Sequence, residues 1–145
     1  MTYKEKVDWL LGYRRQQSKV EELNQEMQEM QAFWEQQRGQ VSEGRGDWLH
    51  TRQEHEAAAM QERKLVIAKE QRRLAAMGDA VDAAIKRLEE PRQRRVLRQI
   101  YLMGMSQNQV CEQFHYCKRQ VSRTHADGVT ALELRPEDLQ AGQRV

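Results

Sequence analysis

Proline is nearly absent from this chain, with only Pro91 and Pro136 in 145 residues. Proline removes a backbone donor and clashes with the preceding helical turn, so nothing before residue 90 forbids long helices. Aromatic residues make up 6% and hydrophobic residues 39%. That is too little apolar material to fill one core along the whole length, and it predicts an elongated helical part joined to one compact part. Cysteine is limited to Cys111 and Cys117, which excludes a disulfide framework. The sequence has neither an apolar run of membrane length nor a signal-peptide pattern, so it predicts a cytoplasmic protein with no membrane partner. Glycine-rich phosphate loops, nucleophile motifs and paired catalytic carboxylates are missing too. Neither an enzyme, nor a catalytic residue, nor a cofactor is expected.

Charge of one sign is also lacking overall, at a net +2, but it is unevenly placed. From Lys86 to His125 nine basic residues (Lys86, Arg87, Arg92, Arg94, Arg95, Arg98, Lys118, Arg119 and Arg123) face three acids, Glu89, Glu90 and Glu112. From Met1 to Arg38 the balance is slightly negative. A localised positive charge is what contact with phosphates requires.

What is present before residue 90 is heptad patterning. Tyr13, Val20, Met27 and Trp34 recur every seven residues, with Leu23 and Met30 at the second seam position. Residues 1–37 therefore read as one long helix, interrupted by the polar Gln16 and Gln37. A flexible loop is expected over 38–50, where the stretch Arg38–Asp47 holds three of the eight glycines. A second long helix is expected over 51–90, with Met60, Ile67, Leu74, Val81 and Leu88 at heptad spacing and the polar Lys64 and Gln71 at companion positions. The two helices can close on each other as an antiparallel hairpin, or each can pair with a second chain. The thin second seam and the three tryptophans favour self-association. A homodimer is expected, held through Val20, Leu23, Met27, Met30, Trp34, Ile67, Leu74 and Val81.

Residues 91–134 read as a helix-turn-helix unit. Pro91 suits a first helical turn. Val96, Leu97, Ile100 and Tyr101 form one apolar face, and Gly104 ends that helix. Ser106 is placed as the N-cap of a second helix, with Gln109 completing a capping box and Met105 stapling against Val110. That helix stops at Phe114. A third begins near Lys118, with Val121, Thr124, Gly128, Val129 and Leu132 on its inner side. Its outer side presents Lys118, Arg119, Gln120, Ser122 and Arg123. Arginine can fork onto guanine and glutamine can pair with adenine, and the first residues of a recognition helix reach base edges, so these five are the expected base contacts. Ser106 and Gln107 at a helix N-terminus, with Arg95 and Arg98 on the first helix, are the expected phosphate contacts. A charge run by itself usually marks a solvated face. Here it coincides with a capped short helix, a turn and a second helix, and DNA is the better reading. Cys111, His115 and Cys117 lie close in sequence, but zinc needs four protein ligands or three and a water, and no metal is expected. The tail 135–145 is expected to fray.

The stretch Leu88–Phe114, from an arginine-rich first helix through a Tyr-x-x-Gly corner to the Ser106-capped helix, resembles region 4 of sigma-70 factors. The whole layout is similar to phage and prophage regulators of the ArpU/RinA type, which carry a helical N-terminal half before such a unit. The match covers about residues 88–132. His115 stands where that family carries glycine, which implies a left-handed backbone at a non-glycine residue. The resemblance implies an all-α protein: a long helical hairpin or coiled coil followed by a helix-turn-helix domain. It implies transcription regulation of phage or prophage late genes in a bacterial host, on double-stranded DNA at the nucleoid, with the arm dimerising or contacting RNA polymerase. Two other functions share these features. One is a terminase small subunit acting in DNA packaging, although such proteins commonly carry the DNA-binding part first. The other is an adaptor that grips polymerase and not DNA.

Overall fold

The computed structural model describes residues 1–39 and 46–143, with side chains in the second helix from His50 onward. The expected loop at 38–50 lies in part outside the described residues. In chain order the elements are α1 (Tyr3–Arg38), α2 (Gly46–Lys86), α3 (Pro91–Leu97), a π-helical turn (Arg98–Leu102), α4 (Gln107–Phe114), α5 (Lys118–Ala131) and α6 (Pro136–Gln140). All regular structure among the described residues is helical, so the fold is all-α. No helix among them is long and apolar enough to cross a membrane.

Two boundaries differ from the sequence expectation. The second helix begins at Gly46, not near Thr51, and ends at Lys86. Glycine lowers helix propensity but does not forbid a first turn, where the backbone N–H groups need no helical partner. The tail does not fray through its length. Pro136 opens a short helix, and Asp138 behind it is only 7% exposed.

The chain divides into two compact units, one of residues 18–71 and one of residues 1–17 with 72–145. The first is an antiparallel hairpin of α1 and α2. Its ion pairs run in opposite order along the two helices: Lys19–Glu70 at 3.5 Å, Glu26–Arg63 at 3.9 Å and Arg38–Glu56 at 2.7 Å. Val20 and Ile67 are each 6% exposed inside it, and Leu23, Met27, Met30 and Trp34 are half-buried. These heptad positions therefore close within one chain. Val20 and Ile67 are thereby covered inside one chain, while Leu23, Met27, Met30 and Trp34 keep part of their surface. Glu56 is buried where an apolar residue would suit the stripe, and it is held by both Arg38 and Arg52. A buried carboxylate is tolerable only with such donors.

The second unit has two adjoining clusters. Leu10, Val81, Ala84, Ile85, Leu88, Leu97, Tyr101, Val129 and Leu132 form the larger one. Val81 is thus also committed inside the chain, and the half-buried Leu74 lies on the same helix. Val96, Val110 and Val121 form the smaller one, flanked by Ile100, Met105, Cys111, Phe114 and Tyr116. Each buried aliphatic side chain contributes roughly 1.5–3 kcal/mol. Gly128 lets α5 approach α3 closely: an added Cβ would stand 3.2 Å from the Leu97 Cδ1.

Candidate nucleic-acid interface

The three short helices at the C-terminal side set the interface. Glu90 precedes Pro91 in an extended conformation and starts α3. After Leu97 the backbone widens into the π turn, and Met103 donates its N–H back to the Arg98 carbonyl at 3.1 Å. Such turns shift the side-chain register relative to an α-helix. Here Val96, Leu97 and Tyr101 are all buried, while Arg98 is exposed. Gly104 takes φ +77° and ends the helix as expected.

Ser106 forms the capping box seen in the sequence. Its hydroxyl accepts the Gln109 N–H at 3.2 Å, and its own N–H donates to Gln109 Oε1 at 2.8 Å. Met105 packs on the cluster that holds Val110, as a hydrophobic staple should. The helix ends at His115 with φ 57° and ψ 37°, the left-handed conformation expected there. Cys117 is the N-cap of α5 and makes no side-chain cap bond.

Along α5 the inner side is closed: Val121, Val129 and Leu132 have no exposed surface. On its first two turns Lys118, Arg119, Ser122 and Arg123 are exposed and Gln120 is half-buried. All five predicted base contacts therefore lie on the N-terminal half of one helix, and four of them face solvent. Arg119, Gln120 and Arg123 line a groove of about 370 Å³ with Arg92, Cys117, Thr124 and Asp127. Among the described residues neither Arg119 nor Arg123 takes part in an ion pair. Of the predicted phosphate contacts, Gln107 and Arg98 are exposed. The Ser106 hydroxyl accepts within its box and keeps its proton for an outside acceptor.

Arg95 is not a freely extended side chain. Its Nη1 donates to the Tyr116 hydroxyl at 3.2 Å, and its guanidinium lies 5.4 Å over the Phe114 ring. Arg92 lies 5.4 Å over the Tyr116 ring, and the Phe114 and Tyr116 rings stack 6.0 Å apart. Two arginines of α3 are thus fixed on the aromatic pair that brackets His115. Sequence reasoning does not select Arg92, Phe114 or Tyr116. The signal it offers is the i, i+3 spacing of Arg92 and Arg95, together with two aromatic residues on either side of a left-handed turn. Arg94 serves differently, because its Nη1 caps the Leu88 and Glu89 carbonyls at the end of the preceding segment.

His125, also on α5, shows no site pattern in the sequence. In the fold its Nε2 meets the Tyr101 hydroxyl at 2.6 Å, and its Nδ1 lies 3.4 Å from the Tyr3 hydroxyl. Burial lowers its pKa and pushes that of Tyr101 up to about 12, with Tyr3 adding to the latter. Among the described residues no group of three His, Cys, Asp or Glu side chains is gathered to hold a metal.

No family model, no curated protein and no solved structure matches this chain.

Proposed function

We propose that this chain is a sequence-specific double-stranded DNA-binding protein of the helix-turn-helix kind, acting as a transcription regulator of phage or prophage genes. The observation that supports this most directly is the exposed row Lys118, Arg119, Ser122 and Arg123 on the outer side of α5, with α4 capped and packed behind it. In this reading α5 enters the major groove from its N-terminal end. Arg119 and Arg123, one turn apart, reach base edges, and Gln120 and Ser122 add polar contacts. Gln107, the Ser106 hydroxyl, Arg95 and Arg98 hold phosphates on either side. The hairpin of α1 and α2 serves as the arm that contacts a partner, a second copy or RNA polymerase. The resemblance to region 4 of sigma-70 factors supplies the transcriptional context.

The test is a pull-down of fragmented phage and host DNA with the purified full chain at physiological salt, read by sequencing. A sharp peak upstream of a gene block is expected. The variant with Arg119→Ala and Arg123→Ala together should lose it, each bidentate contact contributing about 1–3 kcal/mol of discrimination. Undiminished binding by that variant would show that α5 does not read the DNA. Flat, salt-sensitive coverage would reduce the basic face to non-specific phosphate attraction. Enrichment at a packaging site would replace regulation with a packaging role.

A further inference from the structure

We propose that the outer face of α2 in the hairpin unit binds a second copy of this chain, in a two-fold antiparallel contact centred between Leu65 and Val66. Glu62, Leu65, Val66 and Lys69 stand at i, i+3, i+4 and i+7, so they share one side of the helix. Ile67, Arg63 and Glu70 mark the other side: Ile67 is buried, and the two charged residues pair with Glu26 and Lys19 of α1. The first face therefore lies on a flank of α2, with Leu65 and Lys69 farther from α1 and with Glu62 and Val66 bordering Leu23. Leu65 is 62% and Val66 is 52% exposed, two adjacent branched aliphatic side chains left in water.

An exposed apolar pair does not by itself say what covers it. The charges do. Glu62 lies three residues before Leu65, and Lys69 lies three residues after Val66. A two-fold axis between 65 and 66 runs an identical helix in the opposite direction. Each Leu65 then meets Val66 of the second copy, and each Glu62 meets Lys69 of the second copy, twice over by symmetry. A parallel pairing would set Glu62 on Glu62 and Lys69 on Lys69. The face is thus self-complementary in one orientation only. Among the described residues neither Glu62 nor Lys69 takes part in an ion pair within its own chain, unlike their neighbours Arg63 and Glu70. Beside the face, Leu23, Glu62, Arg63, Val66 and Ile67 line a groove of about 260 Å³, open to an incoming side chain. This places self-association on the outside of the hairpin and not on its heptad seam, and it holds whether or not the chain binds DNA.

Sedimentation equilibrium of the full chain at about 10–100 μM and low salt tests it, with circular dichroism confirming unchanged helix content. Wild type should show twice the mass of one chain. Glu62→Lys alone and Lys69→Glu alone each turn two attractions into two repulsions, and each should weaken association about tenfold or more. Glu62→Lys combined with Lys69→Glu restores both pairs in swapped form and should return within about threefold of wild type. Val66→Glu should be monomeric. A monomeric wild type, an assembly larger than two, or a dimer indifferent to Val66→Glu and to the single reversals overturns the proposal. Single reversals that dissociate the dimer without rescue in the combined variant overturn the antiparallel register.

Discussion

Tyr101 and His125 are joined by a 2.6 Å hydrogen bond that ties the π turn after α3 to the middle of α5. A neutral imidazole carries one donor and one acceptor nitrogen, so it can serve both neighbours, accepting from one of the Tyr101 and Tyr3 hydroxyls and donating to the other. Removing the phenol in Tyr101→Phe leaves a half-buried ring nitrogen without its partner and should cost about 1–2 kcal/mol in urea unfolding. A variant as stable as wild type would mean that the contact does not hold α5.

The same pair sets a pH dependence. The folded-state pKa of His125 is lowered by burial, so below the ordinary histidine value the unfolded chain takes up a proton that the folded chain resists. Stability from this group is therefore complete above about pH 6.5 and is lost as pH falls through the folded pKa. Unfolding measured at pH 7.5 and pH 5.5 should show a larger loss for wild type than for His125→Gln. Equal losses in the two proteins would remove His125 as the cause.

Ser106 closes the start of α4 through the reciprocal bonds with Gln109. Ser106→Ala deletes the acceptor for the Gln109 N–H and should lower stability by about 1 kcal/mol, read as a drop in the thermal midpoint. No change in that midpoint would place the helix start under packing control by Met105 and Val110 alone.

His115 occupies a left-handed conformation that costs an L residue about 1–2 kcal/mol. Glycine enters that region freely but loses more freedom on folding, so His115→Gly should raise stability by about 0.5–1 kcal/mol. A lower thermal midpoint for the variant would show that the imidazole makes a stabilising contact that outweighs the backbone cost.

Asp138 fastens the tail. Its Oδ2 accepts from Arg87 Nη2 at 2.5 Å and from the Arg135 N–H at 2.9 Å, and Arg87 also donates to the Glu133 carbonyl. The carboxylate is nearly buried, and the Arg87 Nε atom beside it has no partner among the described residues. Asp138→Ala should therefore cost about 1–3 kcal/mol and speed proteolysis after residue 135. A tail equally protected in the variant would assign its docking to Leu139 and the backbone alone.

Local signals are the legible part of this fold. Ser106 and Gln109, Gly104, the stop at Phe114, the left-handed His115 and the inner face of α5 all follow from residues a few positions apart. The candidate interface is legible for the same reason, because Lys118 to Arg123 lie on one turn and a half of helix. What escapes depends on distant partners. The tail is held by Arg87 on Asp138 and by Arg73 Nε on the Gly142 carbonyl at 2.9 Å, and neither bond leaves a mark in the tail's own composition. Gln16 reads as a fault in the heptad stripe, yet it is buried. The heptads themselves cannot say that Leu10 and Val81 belong to the core under α3 and α5, since a stripe gives the face of a helix and not what covers it.

The hairpin of residues 18–71 is continuous in sequence, whereas the unit that carries α3, α4 and α5 also needs residues 1–17. During synthesis the hairpin can form as soon as its own residues have left the ribosome. The other unit must hold its first segment in waiting until Val129 and Leu132 arrive to cover Leu10. Its assembly is therefore a late, long-range closure, because Leu10 and the residues that cover it lie far apart in sequence.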